Sequence, residues 1–214
     1  MTAHEHLKAI NDVRASLIAL LAGVGVAAGT VFAGRTYLLN RSAAYAERYA
    51  KAVEQLASDG LTIRVGGVYA LAASARGHPG WIQPVVEVLS SFVREGKLAD
   101  DGRVRPDIAA AMQVLTAGAL KTCNADLHGV NLPGVVLPGA DLSRVRALNA
   151  NLGLADLTGA NLNEADFTGA DLRGAKLNGA SVRGAVFKGA DLRGAEVDGV
   201  RWSAADTTDA RGLS

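Results

Sequence analysis

Four histidines, one cysteine and a regularly spaced series of aspartates are the side chains of this 214-residue chain best suited to chemistry. His4-Glu5-His6 brings two imidazoles and a carboxylate together. The two imidazoles could hold a metal loosely, but the segment lies on a terminus with no third ligand in reach, so no metal site is expected. Cys123 and His128 are close enough in sequence for a base to activate a thiol. No third group to orient the base and no oxyanion donor can be assigned, so the pair predicts no catalysis. His78 lies in a Gly-His-Pro-Gly loop, and no glycine run has the P-loop or dinucleotide spacing. These residues predict a protein that is not an enzyme and carries no metal or cofactor. The aspartates differ: Asp126, Asp141, Asp156, Asp166, Asp171, Asp191 and Asp206 all fall on one position of a five-residue grid.

That grid belongs to a repeat. From Ala125 to Asp209 the chain runs through 17 pentapeptides without a slip in phase. The first position holds 13 Ala and 4 Val; the third is Leu, Val, Phe or Trp except at Ala147 and Thr207. Two residues further on, 11 of 17 positions are Gly. A period of five fits neither the 3.6 of a helix nor the 2 of a strand. It fits a coil in which each pentapeptide makes one short extended side and then turns. The first and third residues point inward, and glycine at the corner accepts angles that a side chain would penalise.

Phe167 and Phe187 are 20 residues apart, so a four-sided coil stacks them in one column with Leu127 and Ala147. The other columns are Leu132, Leu152, Leu172, Leu192, then Leu137, Leu157, Leu177, Val197, and Leu142, Leu162, Val182, Trp202. Leu127, Leu132, Leu152, Phe167, Leu172, Phe187, Leu192 and Trp202 are the expected structural core, with Trp202 helping to close the far end. Runs such as Ala155-Asp156-Leu157-Thr158-Gly159-Ala160-Asn161-Leu162 resemble the pentapeptide-repeat family. That resemblance implies a right-handed quadrilateral β-helix over residues 125–209. It departs at Val145-Arg146-Ala147, where the central Leu is lost, and at Val186, where a polar residue is usual.

Composition agrees with thin, close-packed layers. Hydrophobic residues make up 49% of the chain but aromatics only 5%, and 25 residues are Gly, which does not fit a deep aromatic-lined pocket. The formal charge of +1 disfavours a basic nucleic-acid binder. A single cysteine excludes an internal disulfide and fits a reducing compartment.

The first half reads differently. Residues 15–34 carry no charge, and 20 helical residues span about 30 Å, the thickness of a bilayer core. A transmembrane helix is expected there, with a packed helix or a cleaved signal peptide as alternatives. Arg35, Arg41, Arg48 and Lys51 outnumber Lys8 and Arg14, which places the repeat in the cytoplasm of a single-pass membrane protein. Gly25, Gly29 and Ala33 form a small-residue stripe on which two such helices would pack, giving a homodimer.

Residues 40–118 read as a helical adaptor of about four helices. They run from near Asn40 to Ser58, Thr62 to Ala75, Ile82 to Arg94 and Pro106 to Thr116. The run Glu47 to Leu56 followed by Arg64 to Leu71 is similar to the α-solenoid-like helical hairpin of bacterial membrane-associated pentapeptide-repeat proteins. The whole is then α+β and multidomain: a tail over 1–14, the membrane helix, the adaptor as cap for one end of the coil, the β-helix, and a tail over 210–214. The function this implies is a membrane-anchored interaction or scaffolding module with a protein partner and no nucleic acid. The alternative is a soluble DNA-mimic inhibitor of DNA gyrase, since some members of the family mimic DNA and confer quinolone resistance. A mimic needs a surplus of negative charge, whereas residues 125–214 hold 11 acidic and nine basic side chains.

Overall fold

The structure is a computed structural model that describes residues 43–77, 79–117, 120 and 124–213. The chain divides into two compact units, Met1–Glu47 and Arg48–Ser214. The expected membrane helix, with Gly25, Gly29 and Ala33, lies outside the described residues. Among the described residues no helix is long and apolar enough to cross a membrane.

Four helices lead into the repeat. α1, described over residues 43–56, buries Ala52 and Leu56 one turn apart, with Val53 partly buried beside them. α2 (Leu61–Gly77) buries Val68, Leu71, Ala72 and Ala75, and Gly67 lets α1 approach closely. A Cβ added at Gly67 would stand 2.9 Å from the Ala52 carbonyl oxygen. After the short 3-10 turn Pro79–Trp81 comes α3 (Ile82–Glu95), whose buried face is Val85, Val86, Leu89, Ser90 and Val93. That spacing is the 3.6-residue period of an amphipathic helix. α4 (Pro106–Thr116) opens on proline, which needs no amide partner in a first turn. Its Asp107 is fully buried and accepts from Arg64 Nε at 2.5 Å and from Arg105. Arg64 also donates to the Ser58 and Asp59 carbonyls, tying the α1–α2 turn to the start of α4. Burial alone would raise the Asp107 carboxyl, but the bonds from Arg105 and Arg64 outweigh it and hold the group below the usual carboxylate range.

α3 and α4 close one end of the coil. Met112 lines a narrow apolar gap together with Leu127, Leu132, Leu137 and Leu142, the four inward leucines of the first turn. The Thr116 carbonyl accepts from Asp141 N–H at 3.2 Å, and Arg94 Nη1 reaches the Asp126 carboxylate at 2.8 Å. A coil end left open would present unpaired backbone groups to any passing strand.

The repeat itself is a ladder of single rungs. Thirteen parallel bridges join residues 20 apart, from Asp126–Arg146 to Asp191–Arg211. Each side contributes one bridging residue, so the expected extended sides are too short to form continuous strands. A typical rung has Leu152 N–H on the Asp171 carbonyl at 2.8 Å and Asp171 N–H on the Ala150 carbonyl at 2.9 Å. At each corner the amide of the next first-position residue returns to the preceding third-position carbonyl, as in Val130 to Leu127 at 3.3 Å. With φ of +64° at Gly129, this is the hydrogen-bonding pattern of a type II turn. All 11 corner glycines have positive φ, and so do Arg144, Asn149, Leu154, Glu164 and Asp209 at the same grid position. Ala204 is the exception.

Inside, Ala and Leu fill the lumen in layers. Phe167 and Phe187 stack at 5.2 Å with planes 13° apart, and Ala147 leaves room above them. Trp202 lies edge-on to Phe187, also at 5.2 Å, but is only partly buried and belongs to a 3-10 turn, Trp202–Ala204. Truncating Phe167 or Phe187 to Ala is expected to cost about 3–5 kcal/mol in a denaturation experiment. Exposed Lys188→Ala should stay within about 0.5 kcal/mol; equal losses at all three positions would contradict a packed lumen. Leu154 holds φ +59° with its side chain in solvent. Leu154→Gly is therefore expected to raise the melting temperature, since left-handed backbone costs a side chain about 1 kcal/mol.

Candidate functional site

The surface available for function consists of the second, fourth and fifth residues of each pentapeptide, held at fixed offsets by the ladder. The second position is where the seven aspartates stand, and their carboxylates have a local task. The Oδ1 atoms of Asp126, Asp141, Asp156, Asp166, Asp171, Asp191 and Asp206 each accept the backbone N–H two residues on, at 2.9–3.3 Å. Asn151 and Asn161 do the same. These are Asx turns, which lead the chain into the corner. Where Ser143, Thr168 or Thr208 follows, its hydroxyl donates to the same oxygen at 2.6–2.7 Å. Asparagines and charged residues also bond between turns: Asn151 Nδ2 to Asn131 Oδ1 at 2.7 Å, and Arg144 Nε to Glu164 Oε2 at 2.8 Å.

Charge is neutralised locally. Arg173 grips Asp171 through Nε at 2.8 Å and Nη2 at 2.6 Å, and Arg193 grips Asp191 at 2.9 and 2.6 Å. The arginine beside each holds both carboxyls below the usual range, Asp191 down to about 2. Thr158 and Thr208 lower Asp156 and Asp206 by hydrogen bonding.

Of the residues singled out for catalysis or metal binding, His128 alone lies among the described residues. His128 is exposed, with Nδ1 3.2 Å from Asp126 Oδ1, while Cys123, His4, His6 and His78 lie outside the described residues. No cluster of three metal-ligating side chains occurs among the described residues. Of the core residues expected from the sequence, Leu127, Leu132, Leu152, Phe167, Leu172, Phe187 and Leu192 line the lumen, and Trp202 sits at its edge. Sequence reasoning missed the Asx role of the aspartates, although Asp or Asn three residues before a corner glycine on a strict grid is its signature.

A ladder of pentapeptide turns around an aliphatic lumen defines a β-helical solenoid. Residues 124–163, 150–189 and 165–201 match the Pentapeptide repeats family in eight copies, and the chain is a pentapeptide-repeat protein. Among solved structures it is similar to alr5209, a pentapeptide repeat protein from Nostoc Pcc 7120. The identity is 36%, over 35% of this chain and 62% of that one, with a TM-score of 0.35. It is similar also to HetL of Nostoc sp. strain PCC 7120, which is involved in heterocyst differentiation regulation. There the identity is 30%, over 41% and 49% of the two chains, with a TM-score of 0.29. QnrB1, a plasmid-mediated fluoroquinolone resistance protein, matches at 26% identity over 39% and 43%, with a TM-score of 0.24. The chain thus spans about half to three fifths of the length of the first two. No curated protein matches the sequence.

The lowered carboxyls fix a pH dependence. Their folded pKa values lie below the unfolded value of about 4, so the stability they contribute is present above that pH. It is lost as pH falls through the folded values, toward about 2 for Asp191. Denaturation followed by circular dichroism should show a flat melting temperature near neutrality and a decline below about pH 4. Asp191→Asn keeps the turn acceptor and loses the ion pair, so it should reduce that decline. Asp191→Ala loses both and should melt lower than Asp191→Asn at neutral pH; equal melting of the two would exclude the turn role.

Proposed function

We propose that the chain is a non-enzymatic protein–protein interaction or scaffolding module whose partner reads the coil faces, held at a membrane by residues 15–34. The observation that carries this reading is the fixed projection of the surface. Thirteen bridges set most outward side chains of the repeat at a 20-residue offset, and Asx turns and ion pairs hold many of them in place. A surface ordered before binding loses little conformational entropy on association. Affinity capture from detergent-solubilised membranes with the full chain as bait tests the reading, which fails if nothing is retained above a control. Fractionation tests the attachment: the protein should stay in the membrane pellet after high-salt and alkaline washes, because hydrocarbon burial is insensitive to screening.

The charge pattern weighs against gyrase inhibition by DNA mimicry. Arg173 and Arg193 alternate with Asp171 and Asp191 on one face and cancel their field within the Debye length of about 8 Å. Purified protein at micromolar concentration is expected to leave gyrase supercoiling unchanged. Inhibition that weakens in Asp171→Asn/Asp191→Asn would reverse the order of the two readings.

A further inference from the structure

The ladder has one gap. Every fifth residue from Asp126 to Asp191 is bridged to the residue 20 further on, except Ser181, which has no bridge to Arg201. Higher on the same face both bonds of each rung form: Leu142 N–H to the Asn161 carbonyl and Asn161 N–H to the Ala140 carbonyl, then Leu162 to Ser181 and Ser181 to Ala160, all at 2.8–2.9 Å. Below Ser181 the corresponding pair is absent, leaving Val182 N–H and the Ala180 carbonyl without a protein partner among the described residues.

Trp202 accounts for the gap. It occupies the column filled above by Leu142, Leu162 and Val182, and it must share the lumen with Phe187. The indole is larger than the leucines of the same column, and the side carrying it leaves the ladder as the Trp202–Ala204 turn. Gly184 N–H then bonds the Ala204 carbonyl, 20 residues on, where Gly179 and Gly189 bond carbonyls 19 on. Register returns at Val186–Asp206.

The displaced side opens a notch of about 400 Å³ lined by Ala180, Ser181, Val182, Arg183 and Arg201 among others, none of them acidic. Arg183 and Arg201 have no ion-pair partner among the described residues, unlike Arg144, Arg173 and Arg193. The acidic group on the same face one turn up, Glu164, is engaged by Arg144.

We propose that this notch binds an extended acidic peptide segment of a partner protein, which supplies the missing rung; the proposal rests on the interaction reading above. The segment's carbonyl accepts from Val182 N–H, its amide donates to the Ala180 carbonyl, and an Asp or Glu side chain meets Arg183 and Arg201. A donor and an acceptor two residues apart on one extended side are what the carbonyl and amide of one residue of an adjacent parallel strand satisfy, as Ser181 does for Leu162 and Ala160. A bare anion satisfies the arginines but has no donor for Ala180. A nucleic acid would also want an aromatic platform, and the Trp202 ring is turned onto Phe187.

The test uses the full chain, isotope-labelled in detergent, with acetyl-Thr-Glu-Thr-Glu-Thr-amide as probe and its Lys counterpart as control. Without peptide, the Val182 amide should exchange with solvent faster than its ladder equivalents at Leu142 and Leu162. The Glu peptide, titrated to millimolar concentration at low salt, should shift and protect the Val182 amide, and the Lys peptide should not. Arg183→Glu/Arg201→Glu, at exposed positions and checked by an unchanged melting temperature, should weaken binding about tenfold or more. Absence of binding, or binding indifferent to the double variant, overturns the site. Arginine-dependent binding that leaves Val182 unprotected shows anion capture only and overturns the peptide rung. Affinity capture separates the two levels. A partner retained equally by wild type and double variant overturns the notch but not the interaction reading, whereas no retained partner and no Val182 protection overturns both.

Discussion

A positive φ at every fifth residue is the constraint on which the rest of the repeat depends. Once the chain turns with that geometry after three extended residues, successive sides meet at a corner and the fifth side lies under the first. The corner residue carries φ between +54° and +75° at 16 of 17 grid positions, whatever its type. Glycine meets that demand without penalty, and at Arg144, Asn149, Leu154, Glu164 and Asp209 the fold imposes it on a side chain. Those positions persist because each corner is held from several directions. Arg144 N–H still reaches the Asn163 carbonyl at 2.9 Å, and Asp141 caps the same corner through its Asx turn. Local strain of about 1 kcal/mol is tolerable where ladder, turn and cap agree.

The lumen transmits the same constraint inward. Four sides enclose a cross-section that four aliphatic side chains fill, and an alanine at the first position of each side keeps adjacent sides close. Ring volume must therefore be offset along a column, as Ala147 offsets Phe167. Trp202 has Val182 above it, which is too little relief, and its side leaves the ladder. The end capped by α4 shows the opposite solution. There Met112, a flexible and unbranched side chain, meets the four leucines of the first turn without disturbing their rungs.

Much of this was legible in the sequence because the period is strict. Two phenylalanines 20 residues apart named the length of a turn, and their rings stack. α2, α3 and α4 begin within one residue of the starts read from loop and proline signals. What escaped were effects set by a partner distant in sequence or by size rather than pattern. Asp107 looks like an ordinary acidic residue in a first turn, and only the fold brings Arg64 to it across 43 positions. Gly67 reads as a weak spot in a helix until Ala52 is packed against it. Trp202 fits the apolar column by type, so the pattern counts it as core, while its volume decides otherwise.

The corner constraint also decides which surface groups are available to a partner. A carboxylate that caps its own corner and is gripped by a neighbouring arginine is already satisfied, and binding through it would first require breaking those bonds. Asp171 and Asp191 are in that position, so the acidic row contributes to the stability of the coil more than to recognition. Recognition then falls to groups the repeat leaves unused. Free backbone groups among these arise only where the repeat is broken, because an intact rung consumes both donor and acceptor. On the fourth face the break comes from a single oversized side chain. It frees one donor and one acceptor beside Arg183 and, one turn on, Arg201, neither of which has an ion-pair partner among the described residues. In a solenoid as regular as this one, backbone groups become free for the proposed recognition only at a departure from the period, and Trp202 stands at the one missing bridge of the ladder.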